Sequence, residues 1–151
     1  MLSREDILKH IPHQGKSCLL DTCETWTDDT LTADTSAHLR DDNPLRYQGR
    51  LGIIVGAEMA MQAAALHGAL TGDQTAKTRG YLASLRDLVP ASDRLDRTEY
   101  GLLRIVVQRE QHDLAGMVYG FSVRSQHGAA LLKGRGMVMF RARMPVNEAP
   151  A

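Results

Sequence analysis

The chain has 151 residues, with 18 basic and 18 acidic side chains and a formal net charge of zero. That length suits one domain with a sizeable core. The balanced, interspersed charges give no handle for nucleic acid or for an anionic membrane surface. The two cysteines, Cys18 and Cys23, are too far apart along an extended segment to bridge, and free thiols fit a reducing, cytoplasmic setting. The opening MLSREDILKH carries charges where a signal peptide has its apolar region.

Taken in chain order, Ser3-Arg-Glu-Asp6 opens a short helix: Ser3 caps it, Asp6 answers from the third helical position, and Leu2 staples onto Ile7. Pro12 stops that helix, and His13-Gln-Gly-Lys16 is a loop. Residues 18–26 alternate as a strand, Asp28-Asp29 turns the chain, and 30–38 is a second, threonine-rich strand forming a hairpin with the first. Residues 39–50, with Asp41-Asp42-Asn43-Pro44 and Gly49, form a loop. The segment 51–70 is a long helix that Gly72-Asp73 ends. Strands are predicted over 79–90, 102–112, 117–125 and 130–141, with hairpin turns at 113–116 and 126–128. The domain spans 1–144, and 145–151 is a loose tail.

The long helix carries the strongest functional signal. Among its twenty residues, LGIIVGAEMAMQAAALHGAL, only Glu58, Gln62 and His67 are strongly polar. A helix with so little polar face is normally buried, and a buried carboxylate costs several kcal/mol (roughly 3–5) unless it is paired or protonated. A central glutamate costs about 2.5–3.5 kcal/mol on membrane-insertion scales, which disfavours a transmembrane span. Glu58 is therefore expected either to do chemistry with a raised pKa or to hold a polar partner such as Arg46 or Arg50. Only strands are available to cover this helix, and its many small residues permit close approach. The expected fold is α+β of the hotdog type: a long central helix wrapped by a curved antiparallel sheet of five to six strands, with dimerisation through a sheet edge.

Two segments resemble the β-hydroxyacyl-ACP dehydratases of the hotdog superfamily. Ile11-Pro12-His13 followed by Leu19-Leu20-Asp21 is similar to the Leu-Pro-His and Leu-Leu-Val-Asp of that family. Gly56-Ala57-Glu58-Met59-Ala60-Met61-Gln62 places Glu58 and Gln62 on its acidic residue and glutamine. Asn43-Pro44-Leu45-Arg46, Gly49-Arg50-Leu51, Ala65-Leu66-His67-Gly68 and Gly80-Tyr81-Leu82-Ala83-Ser84 resemble more closely the divergent dehydratase-like proteins of aryl-polyene and related polyketide or fatty-acid gene clusters. One departure stands out. The main family has a histidine fourteen residues before the acid, where this chain has Pro44, and no histidine lies between His38 and His67.

The resemblance implies dehydration of a 3-hydroxyacyl thioester carried on the phosphopantetheine arm of an acyl carrier protein, with no metal or further cofactor. Such chemistry needs a base, an acid and donors for the thioester oxygen. Glu58 is the candidate acid and His38, at the end of the second strand, the candidate base. Gln62, one turn on, is expected to orient Glu58. Free amides near Gly52, Ile53 and Ile54 are expected to face the oxygen. Pro44 and His13 complete the candidate substrate-binding set, and His13 is also expected to cap its loop. His67 reads as a core or interface histidine satisfied by a backbone group. Arg46, Arg50, Lys77 and Arg79 are candidate contacts for the acidic carrier. In the family, histidine and acid of one site come from different subunits, so His38 could meet the Glu58 of a partner in a homodimer, or a heterodimer could supply another histidine. A non-catalytic or half-catalytic partner subunit and a hotdog acyl-thioesterase are the alternatives.

Overall fold

The computed structural model describes residues 1–72 and 80–140. Helix α1 (Arg4–Leu8) is held by the expected capping box between Ser3 and Asp6. Strands β1 (Thr22–Trp26) and β2 (Thr30–Thr35) form the expected hairpin, and helix α2 spans Val55–Leu70. Four further strands follow: β3 (Gly80–Pro90), β4 (Leu103–His112), β5 (Gly116–Arg124) and β6 (Ala130–Phe140).

All six strands join one antiparallel sheet in the order β1-β2-β4-β5-β6-β3. Strands β4, β5 and β6 form a meander with short turns, so their side chains alternate cleanly. Met117, Tyr119, Phe121 and Val123 face inward along β5, as Leu103, Ile105 and Val107 do along β4. These residues pack against Met59, Ala60, Ala63, Ala64 and Leu66 of α2. Alanine and glycine let the helix lie close to the sheet. A Cβ on Gly56 would sit 3.1 Å from Leu132 and 3.3 Å from Val123.

Three boundaries differ from the sequence prediction. Helix α2 begins at Val55 rather than residue 51 because Leu51–Ile53 pairs with the 93–95 segment: Ile53 N donates to Asp93 O (3.1 Å) and Leu95 N to Leu51 O (2.8 Å). Strand β1 begins at Thr22 rather than residue 18, because residues 15–17 form a 3₁₀ turn and Cys18–Leu20 runs on as a buried, non-sheet segment. Strand β2 ends at Thr35, and Ala37–Leu39 turns as 3₁₀ helix. Both cysteines are free and buried. The expected tail 145–151, Lys77 and Arg79 lie outside the described residues. Among the described residues, no helix is long and apolar enough to cross a membrane.

Candidate active site

Helix α2 is not wrapped all round. Ile54, Glu58 and Ala65 are exposed and Met61 is half-buried, a stripe at i, i+4, i+7 and i+11 along one face. Glu58 is the only charged group on it. The expectation of a buried Glu58 is therefore corrected: the sheet covers the opposite face, and the burial on which that expectation rested is absent from the single chain. Glu58 makes no hydrogen bond or ion pair with any described residue. Neither expected arginine reaches it. Arg46 donates to the carbonyls of Arg40 (2.8 Å), His38 (3.1 Å) and Gly49 (3.2 Å), and Arg50 pairs with Asp93 (3.2 Å).

Gln62 does not orient Glu58 either. It is buried, its Oε1 accepts from Leu19 N (2.7 Å), and its Nε2 donates to Ser17 O (2.8 Å). Both ends of its amide fasten α2 to the segment before β1, and Leu19, buried and outside the sheet, gains there the partner that its N–H needs.

His38 occupies a position different from the one expected. It sits in the 3₁₀ turn after β2, fully buried, and neither ring nitrogen has a hydrogen-bond partner. The Gly101 backbone lies near enough to favour a charged ring but outside hydrogen-bonding geometry. Burial dominates and pushes the imidazole down to about 4, against the smaller opposing influence of Gly101, Asp21 and Asp96 and with a further lowering from Arg46. The ring is neutral, enclosed and makes no contact with Glu58. The chain thus brings no histidine of its own to the acid.

The other candidates scatter. Pro44 is exposed in the loop before α2, and His13 is exposed with no hydrogen bond. Gln14, rather than His13, holds that loop, donating to Leu8 O (2.7 Å) and Ile11 O (3.0 Å). Of the three expected oxyanion donors, Ile53 N is spent on Asp93, while the amides of Gly52 and Ile54 donate to no described group. They stand free at the positive end of the helix dipole, one turn and more before Glu58. His67 is satisfied as expected: Nε2 donates to Thr27 O (2.8 Å) and Nδ1 accepts from the Tyr119 hydroxyl (2.7 Å), with burial the main cause of its lowered pKa.

One supporting network escaped the sequence. Asp96, with a side chain only 5% exposed, receives a two-pronged contact from Arg94 (2.8 and 2.5 Å) and lies 3.8 Å from Arg46. Arg94 above all, with help from the Leu51 amide, holds its carboxyl well below the usual range. This cluster anchors the strand-like approach to α2 and so fixes where Gly52 and Ile54 point. The only sequence signal was the mixed-charge run Asp93-Arg94-Leu95-Asp96-Arg97. Two surface clefts of about 460 Å³ lie elsewhere, one at Arg4, Lys16, Arg40 and Asp42, the other over Gly120 and Gly134. Glu58 lines neither, and the cations of the first are already paired with Asp21 and Asp42.

Comparison with known proteins identifies the family and the fold. The family described as ApeP-like, ApeP dehydratase, matches residues 5–147. Among solved structures, the dehydratase heterocomplex ApeI:P from Xenorhabdus doucetiae is similar with a TM-score of 0.78 and 16% identity, over 94% of this chain and 95% of that one. A thioesterase from Haemophilus influenzae gives 0.65 at 12% identity over 95% of both chains. AziG of S. sahachiroi gives 0.59 at 16% identity, over 79% and 89%. No curated protein sequence matches. The likenesses establish the hotdog fold.

Proposed function

Because the chain belongs to the ApeP-like dehydratase family, we propose that it is one subunit of a heteromeric hotdog dehydratase that removes water from a 3-hydroxyacyl thioester borne on an acyl carrier protein. The observation that carries this assignment is Glu58: a carboxyl standing in an open apolar stripe, with neither a partner nor a base among the described residues. A contiguous apolar face that a single chain leaves exposed marks an interaction surface. The similar ApeI:P structure is itself a heterocomplex, which supports a second hotdog subunit as the cover.

The chemistry follows from the position. Dehydration removes a proton from the carbon next to the thioester carbonyl, breaks the C–O bond at the third carbon, and releases the hydroxyl as water. Glu58 protonates the departing hydroxyl. Covering the stripe surrounds the carboxyl with apolar side chains and excludes water from the reacting atoms. The free amides of Gly52 and Ile54 receive the thioester oxygen as it gains charge. The base is an imidazole of the partner subunit, since His38 is enclosed and makes no contact with Glu58. No metal or cofactor beyond the carrier's phosphopantetheine arm takes part. A scaffold role is the second reading, favoured by the missing histidine before α2.

Mass-detected loss of water from a 3-hydroxyacyl-ACP tests these readings. The chain alone is expected to be inactive and a mixture with a histidine-bearing hotdog subunit active. Glu58→Gln in the mixture should lower kcat by about a hundredfold or more. Unchanged turnover with Glu58→Ala would sink the catalytic assignment and leave the scaffold. Turnover by the chain alone that His38→Ala abolishes would instead show a self-sufficient enzyme.

A further inference from the structure

The open stripe has walls as well as a floor. Its floor is Ile54, Glu58 and Ala65. At about 100° per residue, Met61 projects some 60° to one side of Glu58 and Gln62 some 40° to the other. Gln62 is tied to Ser17 and Leu19, so the pre-β1 segment forms one wall. Met61 leans the opposite way, onto β6 and β3. A Cβ on Gly136 would lie 2.5 Å from the Met61 sulfur, 2.6 Å from its methyl carbon and 3.7 Å from Leu82. The thioether therefore occupies the space that any larger residue at 136 would fill. Leu82, on the adjoining strand, is 42% exposed and continues that wall.

We propose that Met61, seated on Gly136, sets the length of acyl chain that the site accepts. This rests on the assignment of a 3-hydroxyacyl substrate to Glu58. With the third carbon held at Glu58, the rest of the acyl chain has an apolar course along the stripe, and Met61 comes about 4.5 Å further along the helix axis. Ala65, one turn beyond Met61, is exposed and small, so the floor continues past it. Methionine is unbranched and has three rotatable side-chain bonds. Folded onto Gly136 it leaves a course beside it, and turned outward it closes that course.

The test is calorimetric binding of non-hydrolysable 3-hydroxyacyl-pantetheine analogues, graded in chain length, to the full chain in its assembled form. Met61→Ala should raise affinity by about tenfold for chains two to four carbons longer than the wild-type optimum. Met61→Phe should shift the optimum shorter. Gly136→Ala should do the same by expelling the thioether, and Met61→Ala/Gly136→Ala should restore the longer range. An unchanged length profile in Met61→Ala and Met61→Phe overturns the proposal, as does the absence of binding at every length. A shifted profile in an assembly that never releases water upholds Met61 as the length determinant while removing the dehydratase assignment.

Discussion

His38 and Gln62 are both buried polar side chains, and their contrast explains much of the site. Gln62 has both ends of its amide satisfied. Replacing it with leucine leaves Leu19 N and Ser17 O without partners, and the expected loss is about 2–3 kcal/mol in urea unfolding. His38 has neither ring nitrogen satisfied, and its folded pKa of about 4 lies below the ordinary value of roughly 6.5. The unfolded chain then binds the extra proton first. Stability is complete above about pH 6.5, falls as pH drops toward 4, and levels below that, with a total change of about 3 kcal/mol. His67 adds a loss of the same sign. Urea titrations at pH 7 and pH 5 should show the decline, and His38→Leu should remove the greater part of it. An unchanged slope in that variant would show that the ring is not enclosed. The sequence disclosed neither role, because a polar residue's partners come from segments dozens of positions away.

At the scale of elements, strand periodicity was legible and helix exposure was not. The predicted strands at 79–90, 102–112, 117–125 and 130–141 lie within a residue or so of β3 to β6, since the period-two alternation of a half-buried strand is written in its own residues. The residues of α2 revealed an apolar helix but not which face the sheet would leave open. That depends on coverage from elsewhere, and it reversed the expectation for Glu58. The early start predicted for α2 failed for a related reason. Leu51–Ile53 continues the apolar run of the helix, yet its backbone is claimed by the 93–95 segment. Gly56 marks one close approach of α2 to the sheet. Gly56→Val should overfill the contact with Leu132, Val123 and Leu95 and cost about 1–3 kcal/mol. Thermal unfolding checks this, and a wild-type midpoint would mean that helix and sheet are not in close contact there.

For the whole molecule, the decisive fact is that β3 has one neighbour, β6. Among the described residues its outer edge has no partner strand, and Val89 is 62% exposed there. Edges of this kind recruit another strand unless they are charged or bent away; register shifts at Leu82/Ser84 and Arg86/Val89 and the charges of Arg86 and Asp87 confine such pairing to short stretches of β3. Val89→Lys should weaken assembly by about tenfold or more while leaving circular dichroism unchanged, with sedimentation velocity as the readout. Full assembly by that variant would place the subunit contact elsewhere. The six-stranded sheet and its single long helix followed from the residue pattern, whereas the position of β3 at the far edge did not. Adjacent strands usually pair, and here β3 skips past β4 and β5 to pair with β6.

That skip also has a consequence in time. Gly80 pairs with Phe140 and Pro90 with Leu132, so on the ribosome β3 is finished before its mate exists. At roughly 5–20 residues per second, it waits about 2–10 s for β6 to be translated. During that interval both of its edges, not one, are unsatisfied. In the heteromer proposed above, a second hotdog chain made nearby would reach β3 before its own sheet closes, and the order of synthesis would then bear on which pairs form.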